Sequence, residues 1–151
     1  MLWEIKTKLK MEIENIFIKK LIKPTLKEML MFRKLARQVG DNLKLSERFK
    51  IFMAFSYFCL FWTAINFNHF FIAVDLNNRL VGFAIVRKNL LRALFVRVGY
   101  QRRGVGKRLL RFVEFNTSSP LYLRASKSSK PFYLKNNFLD CGGGLMKKNE
   151  K

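Results

Sequence analysis

The hydrophobic pattern of this chain changes period between Leu90 and Val113. Leu90 to Val98 is a strand-like apolar run, whereas Val105, Leu109, Leu110, Phe112 and Val113 recur at the spacing of one helix face. The turn between them, Gly99 to Gly104, is short and begins and ends on glycine. A strand that feeds a helix this directly belongs to a mixed α/β order, and the flanking segments agree. Upstream, Phe70 to Val74 and Leu80 to Val86 enclose Asp75-Leu76-Asn77-Asn78, and because Asn and Asp tolerate left-handed backbone this predicts a β-hairpin. Downstream, a short strand at Leu121 to Arg124, a short helix near Ser129 to Asn136 and a closing strand pair from Phe138 to Met146 complete the chain.

The first third reads as strand, helix, helix. Ile16 to Ile22 is β-branched and aromatic, and Pro24 ends it. Thr25 and Glu28 have the spacing of a capping box, which opens a helix from Leu26 to Gln38 with Leu26, Met29, Leu30 and Leu35 toward the core, stopped by Gly40. Ser46 and Glu47 start a second helix that runs into an apolar stretch. From Ile51 to Val74 there is no charged residue, and a bilayer span needs about 20 apolar residues. Asn66, Asn68 and His69 interrupt the run, so Ile51 to Ile65 is expected to be a buried helix and no membrane insertion follows. Phe49, Phe52 and Phe55 fall at helical spacing and are read as core.

With 151 residues the chain is expected to form one domain, at 15–151, preceded by an extension at 1–14 of unsettled order, with Met11 an alternative start. Half of the residues are apolar and 15% are aromatic, which excludes disorder for the bulk. Thirty Lys and Arg against ten acids give a net charge of +20, a balance that favours phosphate-bearing or acidic partners. Two cysteines (Cys59, Cys141) and a single histidine (His69) offer no metal-ligand spacing and no His-based triad, so no metal is expected. Met1 to Glu14 lacks the apolar core and cleavage site of a secretory signal, and a cytoplasmic location is expected.

Chemistry concentrates in Gln101-Arg102-Arg103-Gly104-Val105-Gly106-Lys107, where the strand gives way to the helix. Unpaired amides and the positive end of the helix dipole make an anion site there, and glycine lets a phosphate reach the backbone. A pyrophosphate fits. Lys107 is followed by Arg108 rather than Ser or Thr, so the segment is not a P-loop, and it lacks the three spaced glycines of the dinucleotide fingerprint.

Val96 to Leu110 resembles motif A of the GCN5-related N-acetyltransferases, whose signature is Gln/Arg-x-x-Gly-x-Gly/Ala after a strand. The second hallmark of that family, an aromatic-Tyr pair followed by Gly-Phe, is matched by Phe132-Tyr133 and Asn137-Phe138. The resemblance extends over roughly residues 15 to 148. It implies an α/β (α+β) fold: a mixed, mostly antiparallel sheet splayed into a V, flanked by helices, with acetyl-coenzyme A as cosubstrate in the split. Carried over residue by residue, it implies that the backbone of Leu94, Phe95 and Val96 pairs with the pantetheine arm. The segment Arg102, Arg103, Gly104, Val105, Gly106 and Lys107 would hold the pyrophosphate, and Ser126 would stand where many members have an Asn near the pantetheine. Tyr133 would be the catalytic acid that protonates the departing thiolate. Asn137 in place of Gly is compatible with a left-handed backbone.

The departures concern the acceptor. Many members carry an acidic base on the motif A strand or the next one, and neither Leu90 to Val98 nor Leu121 to Arg124 contains an acid. Water, or one of Asp75, Glu114 and Asp140, is left to act as base, or the amine arrives neutral. The expected function is acetyl transfer from acetyl-coenzyme A to an amine of a protein, small-molecule or RNA-linked acceptor, by direct attack in a ternary complex. The alternative is a basic nucleic-acid or ribosome-binding module that keeps the fold without turnover; an RNA or ribosomal partner and a homodimer are both left open.

Overall fold

In the computed structural model the described residues are 15–21, 25–40, 68–117 and 120–149. The elements are β1 (Phe17–Leu21), α1 (Leu26–Gly40), β2 (Asn68–Val74), β3 (Leu80–Arg87), β4 (Leu90–Val96), a 3-10 turn (Val98–Tyr100), α2 (Val105–Phe115), β5 (Tyr122–Arg124), α3 (Lys130–Lys135), β6 (Phe138–Asp140) and β7 (Leu145–Lys148). They form one seven-stranded sheet in the order β1-β2-β3-β4-β5-β7-β6. All neighbours are antiparallel except β4 and β5. The mixed, mostly antiparallel sheet flanked by helices agrees with the expected architecture. The expected extension at 1–14 and the expected helix from Ser46 through Ile65 lie outside the described residues.

β3 sits at the centre because its sequence is apolar on both faces. Leu80 to Val86 are all buried, as a continuous hydrophobic run must be to avoid water. One face, with Phe83 and Ile85, packs with Phe70 and Ile72 of β2 against Phe32 and Leu35 of α1. The other, with Ala84 and Val86, packs with Phe71 against Leu109, Leu110 and Val113 of α2. Gly82 is required by close approach: a Cβ there would lie 2.8 Å from the Phe95 carbonyl oxygen of β4.

α1 begins with the expected capping box. The Thr25 amide donates to Glu28 Oε2 at 2.7 Å and the Glu28 amide to Thr25 Oγ1 at 3.3 Å. Leu35 is buried as expected, but the rest of the inward face differs, because Leu26 and Leu30 are exposed and Phe32 is buried. At 3.6 residues per turn Leu30 lies about 160° round the helix from Phe32, so the two cannot both face the sheet. The ring of Phe32, stacked 4.8 Å from Phe83 and 6.1 Å from Phe70, sets the rotation. The side chain of Met29 lies outside the described residues.

The split in the sheet follows from how briefly β4 and β5 meet. They share two parallel rungs, Leu90 with Tyr122 and Leu91 with Leu123. β5 ends at Arg124, while β4 continues to Val96 along β3. On the β3 side the register jumps, Val86 facing Leu91 and Ile85 facing Ala93, so Arg92 is the extra residue of a β-bulge. A bulge bends its strand and increases its twist, and here it falls where β4 leaves β5.

Candidate functional site

Beyond the bulge, the edge of β4 that faces the split carries backbone groups the β5 ladder does not reach. Antiparallel pairing alternates hydrogen-bonded and non-hydrogen-bonded residues. The Arg97 amide donates to the Val81 carbonyl at 2.7 Å, which fixes the phase of that alternation. Phe95 therefore bonds toward β3, whereas Leu94 and Val96 turn their N–H and C=O into the split. This sharpens the expectation for the three residues: Leu94 and Val96 are placed to pair with an inserted chain, and Phe95 contributes its side chain to the α1-side core. The Val96 carbonyl already accepts from Gln101 Nε2 at 2.9 Å, a contact that ties the first residue of the glycine loop to the strand.

The loop and the first turn of α2 form the second part of the site. Arg102 and Gly104 both have left-handed backbone, with φ of 58° and 82°. Gly104 is the N-cap, provides no side-chain cap, and is followed by a first turn without an acid. The Arg108 amide takes the Gly104 carbonyl at 3.0 Å, and Val105, Gly106 and Lys107 precede that bond as the residues whose amides a helix leaves without internal partners. Arg97, at the head of the loop, buries its Nε without a hydrogen-bond partner. Left-handed turns and uncapped amides are the donor set an anion satisfies, so these residues fit the phosphates of coenzyme A. A Cβ on Gly104 would meet nothing within 4 Å, so glycine is needed there for its conformation and for room on the ligand side.

α3 links this loop to the narrow end of the split. A Cβ on Gly106 would lie 3.4 Å from Cζ of Phe132 and 3.6 Å from Cγ2 of Val96, so the small residue seats α3 against α2 and β4. The next residue, Tyr133, is 7% exposed and belongs to the core that contains Leu91 and Leu123, the last paired rung. Its ring meets Phe132 at 5.1 Å and Phe138 at 5.6 Å, both edge-on. Burial pushes the phenol above its ordinary value, because the phenolate is poorly solvated there. Tyr133 is therefore protonated throughout the physiological range. Asn137, which follows α3, has φ 63°, the left-handed conformation expected of it.

Ser126 is exposed and engaged locally. Its Oγ lies 2.9 Å from Ser128 Oγ and 3.0 Å from Ser129 Oγ, and it accepts from the Ser129 amide at 3.2 Å. The Lys130 amide donates to its carbonyl at 2.9 Å. Ser126 thus shapes the turn that starts α3.

The three acids considered as bases are all held elsewhere. Asp75 accepts from the Asn77 and Arg79 amides at 3.0 and 2.8 Å and from the Tyr100 hydroxyl at 3.3 Å. It lies in register beyond Val96, about 16 Å along β4 from Leu91 at the rise of a strand. There it anchors the loop, beside an open pocket of about 410 Å³. Glu114 Oε1 is 2.8 Å from Lys148 Nζ. Asp140 is paired with Lys130 and accepts from the Gly142 amide at 3.1 Å, and these contacts hold its carboxyl below the ordinary range. Among the described residues no cluster of His, Cys, Asp and Glu could hold a metal ion, and no helix is long and apolar enough to cross a membrane.

Sequence reasoning did not find the bulge at Arg92, the strained backbone of Arg102 or the clasp from Gln101 to Val96. The first two are conformations of residue types that do not announce them, and the third needs the loop folded back on the strand.

Residues 60–149 match the sequence profile of the family described as the acetyltransferase (GNAT) domain. No curated protein matches the chain. Among solved structures, the GCN5-related N-acetyltransferase from Rhodopseudomonas palustris has a TM-score of 0.72 at 17% identity, covering 89% of this chain and 95% of that one. The PaiA N-acetyltransferase from Thermoplasma acidophilum, solved in complex with coenzyme A, has a TM-score of 0.63 at 19% identity, covering 89% and 99%. An acetyltransferase of the GNAT family from Staphylococcus aureus Mu50 has a TM-score of 0.61 at 17% identity, covering 89% and 100%. At these identities the structural likeness is one of fold.

Proposed function

We propose that this chain, which belongs to the GNAT acetyltransferase family, transfers an acetyl group from acetyl-coenzyme A to an amine by direct attack in a ternary complex. In this reading residues 15–151 are one acetyltransferase domain and residues 1–14 precede it. The observation that carries the reading is the loss of β5 as a partner of β4 after Leu91, which leaves a backbone slot that ends at an uncapped helix N-terminus. The coenzyme A held by the Thermoplasma relative supports the same ligand class here. The alternative of a non-catalytic nucleic-acid module draws on the net charge and on the missing base, and gives no reason for the slot to be kept open.

When bound, acetyl-coenzyme A supplies an acyl group activated as a thioester. The amides of Val105, Gly106 and Lys107, with Arg102, Arg103 and Gly104 shaping the turn, hold the phosphates. Leu94 and Val96 pair with the pantetheine arm as an added strand would. The acceptor nitrogen uses its lone pair to form the C–N bond, the C–S bond breaks, and the ammonium proton leaves to water. Tyr133 donates its proton at sulfur as thiolate charge develops and recovers one from solvent. Burial keeps the phenol protonated before the step, and proton delivery of this kind typically contributes about 10²–10⁴-fold.

Tyr133→Phe tests this reading, because it keeps the ring among Phe132 and Phe138 and removes the donor. We expect kcat to fall by roughly 10²–10⁴-fold with cofactor affinity nearly unchanged. Parent turnover across pH in this variant would make the hydroxyl structural.

A further inference from the structure

We infer that the acceptor amine carries an anionic group, a carboxylate or a phosphate, gripped by Arg92 and Arg124 at the narrow end of the split. The inference rests on the acetyltransferase reading and names the substrate class of the same site. The last rung between β4 and β5 joins Leu91 to Leu123, so the next residue on each strand is an arginine: Arg92 on one lip, Arg124 on the other. Past that rung the β4–β5 ladder stops, and the two arginines stand on opposite sides of the opening. Both arginines are exposed, and neither has a hydrogen bond or ion pair among the described residues. The described acids are engaged elsewhere: Glu28 with Thr25, Asp75 with Tyr100, Glu114 with Lys148 and Asp140 with Lys130.

Two guanidiniums flanking one gap, with no acid among the described residues to compensate them, make a cradle for a carboxylate or phosphate, which Arg binds in bidentate fashion. The phosphates of the cofactor do not account for the pair. Their donors lie past the far end of β4, about 13 Å from Arg92 by the rise of four strand residues, whereas Arg92 and Arg124 each directly follow a residue, Leu91 and Leu123, that packs in the core with Tyr133. The anion recognised here therefore arrives on the acceptor.

The test is calorimetric titration of the coenzyme A-saturated chain with O-phosphoethanolamine, β-alanine and ethanolamine, at low ionic strength because surface charges are screened within about 10 Å at 0.1 M salt. We expect at least one anionic amine to bind tenfold or more tighter than ethanolamine, and the two anionic probes separate a phosphate from a carboxylate preference. Arg92→Ala combined with Arg124→Ala should bring the three amines within about twofold of one another while coenzyme A affinity holds, which also shows that the variant is folded. Equal binding of all three amines by the parent, or a preference that survives the double substitution, would overturn the inference. A parent chain that does not bind coenzyme A would refute the acetyltransferase reading itself.

Discussion

The two halves of the sheet are built to different standards of cohesion. In the β1–β4 half, β2 and β3 share seven rungs and β3 and β4 six, and β3 is buried on both faces between α1 and α2. In the β5–β7–β6 half each pairing has three rungs, and the halves meet through two. Phe83 and Ile85 lie in a core cluster confined to the first half, whereas Leu123, Phe138 and Met146 of the second share one cluster with Phe71, Ala84, Val86 and Leu91 of the first, under α2. The halves are thus held together by shared side-chain packing rather than by strand pairing, so the sheet can stay open between β4 and β5, and that opening is what a ligand can fill. The half with many rungs carries the β4 edge of the slot, and the half with few carries Tyr133 and Arg124.

Truncation in the central strand separates the halves most sharply. Phe83→Ala removes a fully buried ring that stacks 4.8 Å from Phe32 and 5.3 Å from Phe95. It should cost about 3–5 kcal/mol in denaturant unfolding, as large-to-small changes at buried aromatics do. If a loss below about 1 kcal/mol were measured, β3 would not be the spine of the molecule.

At the junction, Gln101→Ala removes the clasp from Nε2 to the Val96 carbonyl. A net hydrogen bond is worth about 1 kcal/mol, so acetyl-coenzyme A affinity should fall several-fold with little change in unfolding. A fall in stability with unchanged affinity would place the clasp in the scaffold instead.

The smallest effect belongs to the outer hairpin. The carboxyl of Asp140 is held below its ordinary range by Lys130 and the Gly142 amide. A depressed folded-state pKa contributes stability that is fully present above the unfolded value near pH 4 and is lost as pH falls through the folded one. Asp140→Asn should therefore narrow the difference in stability between neutral and acid pH. A variant whose acid unfolding curve overlays that of the parent would show the pair to be inert.

What the sequence disclosed follows the same division. The β2–β3 hairpin, the strand-to-helix turn and the capping box of Thr25 and Glu28 each rest on local rules of period and turn chemistry, and each is present. The left-handed Asn137 is equally local. The inward face of α1 was misjudged because Leu26, Leu30 and Phe32 are all apolar, and the choice among them depends on a stack with Phe70 and Phe83 that lies more than 35 residues away in sequence. The bulge at Arg92 depends on register within the β3–β4 hairpin, and the position of Arg92 and Arg124 just past the last β4–β5 rung depends on register between strands about 30 residues apart; no periodicity in any of these strands encodes either. The motif residues of the loop were legible because glycine and a helix start imply uncapped amides; which edge of β4 faces the slot was not, because it is a phase set by pairing with β3.

The central claim is that the slot beside β4 and the uncapped turn at its end bind acetyl-coenzyme A. Calorimetric titration of the intact chain and of Gly104→Val tests it most directly, since valine at a φ of 82° is strained and its side chain would stand where the phosphates are expected. Lys107→Glu, a charge reversal at an exposed position of the same turn, serves as the second variant. The account predicts binding by the parent and a loss of tenfold or more in each variant at preserved far-ultraviolet circular dichroism; unchanged affinity in a folded Gly104→Val and in Lys107→Glu would contradict it.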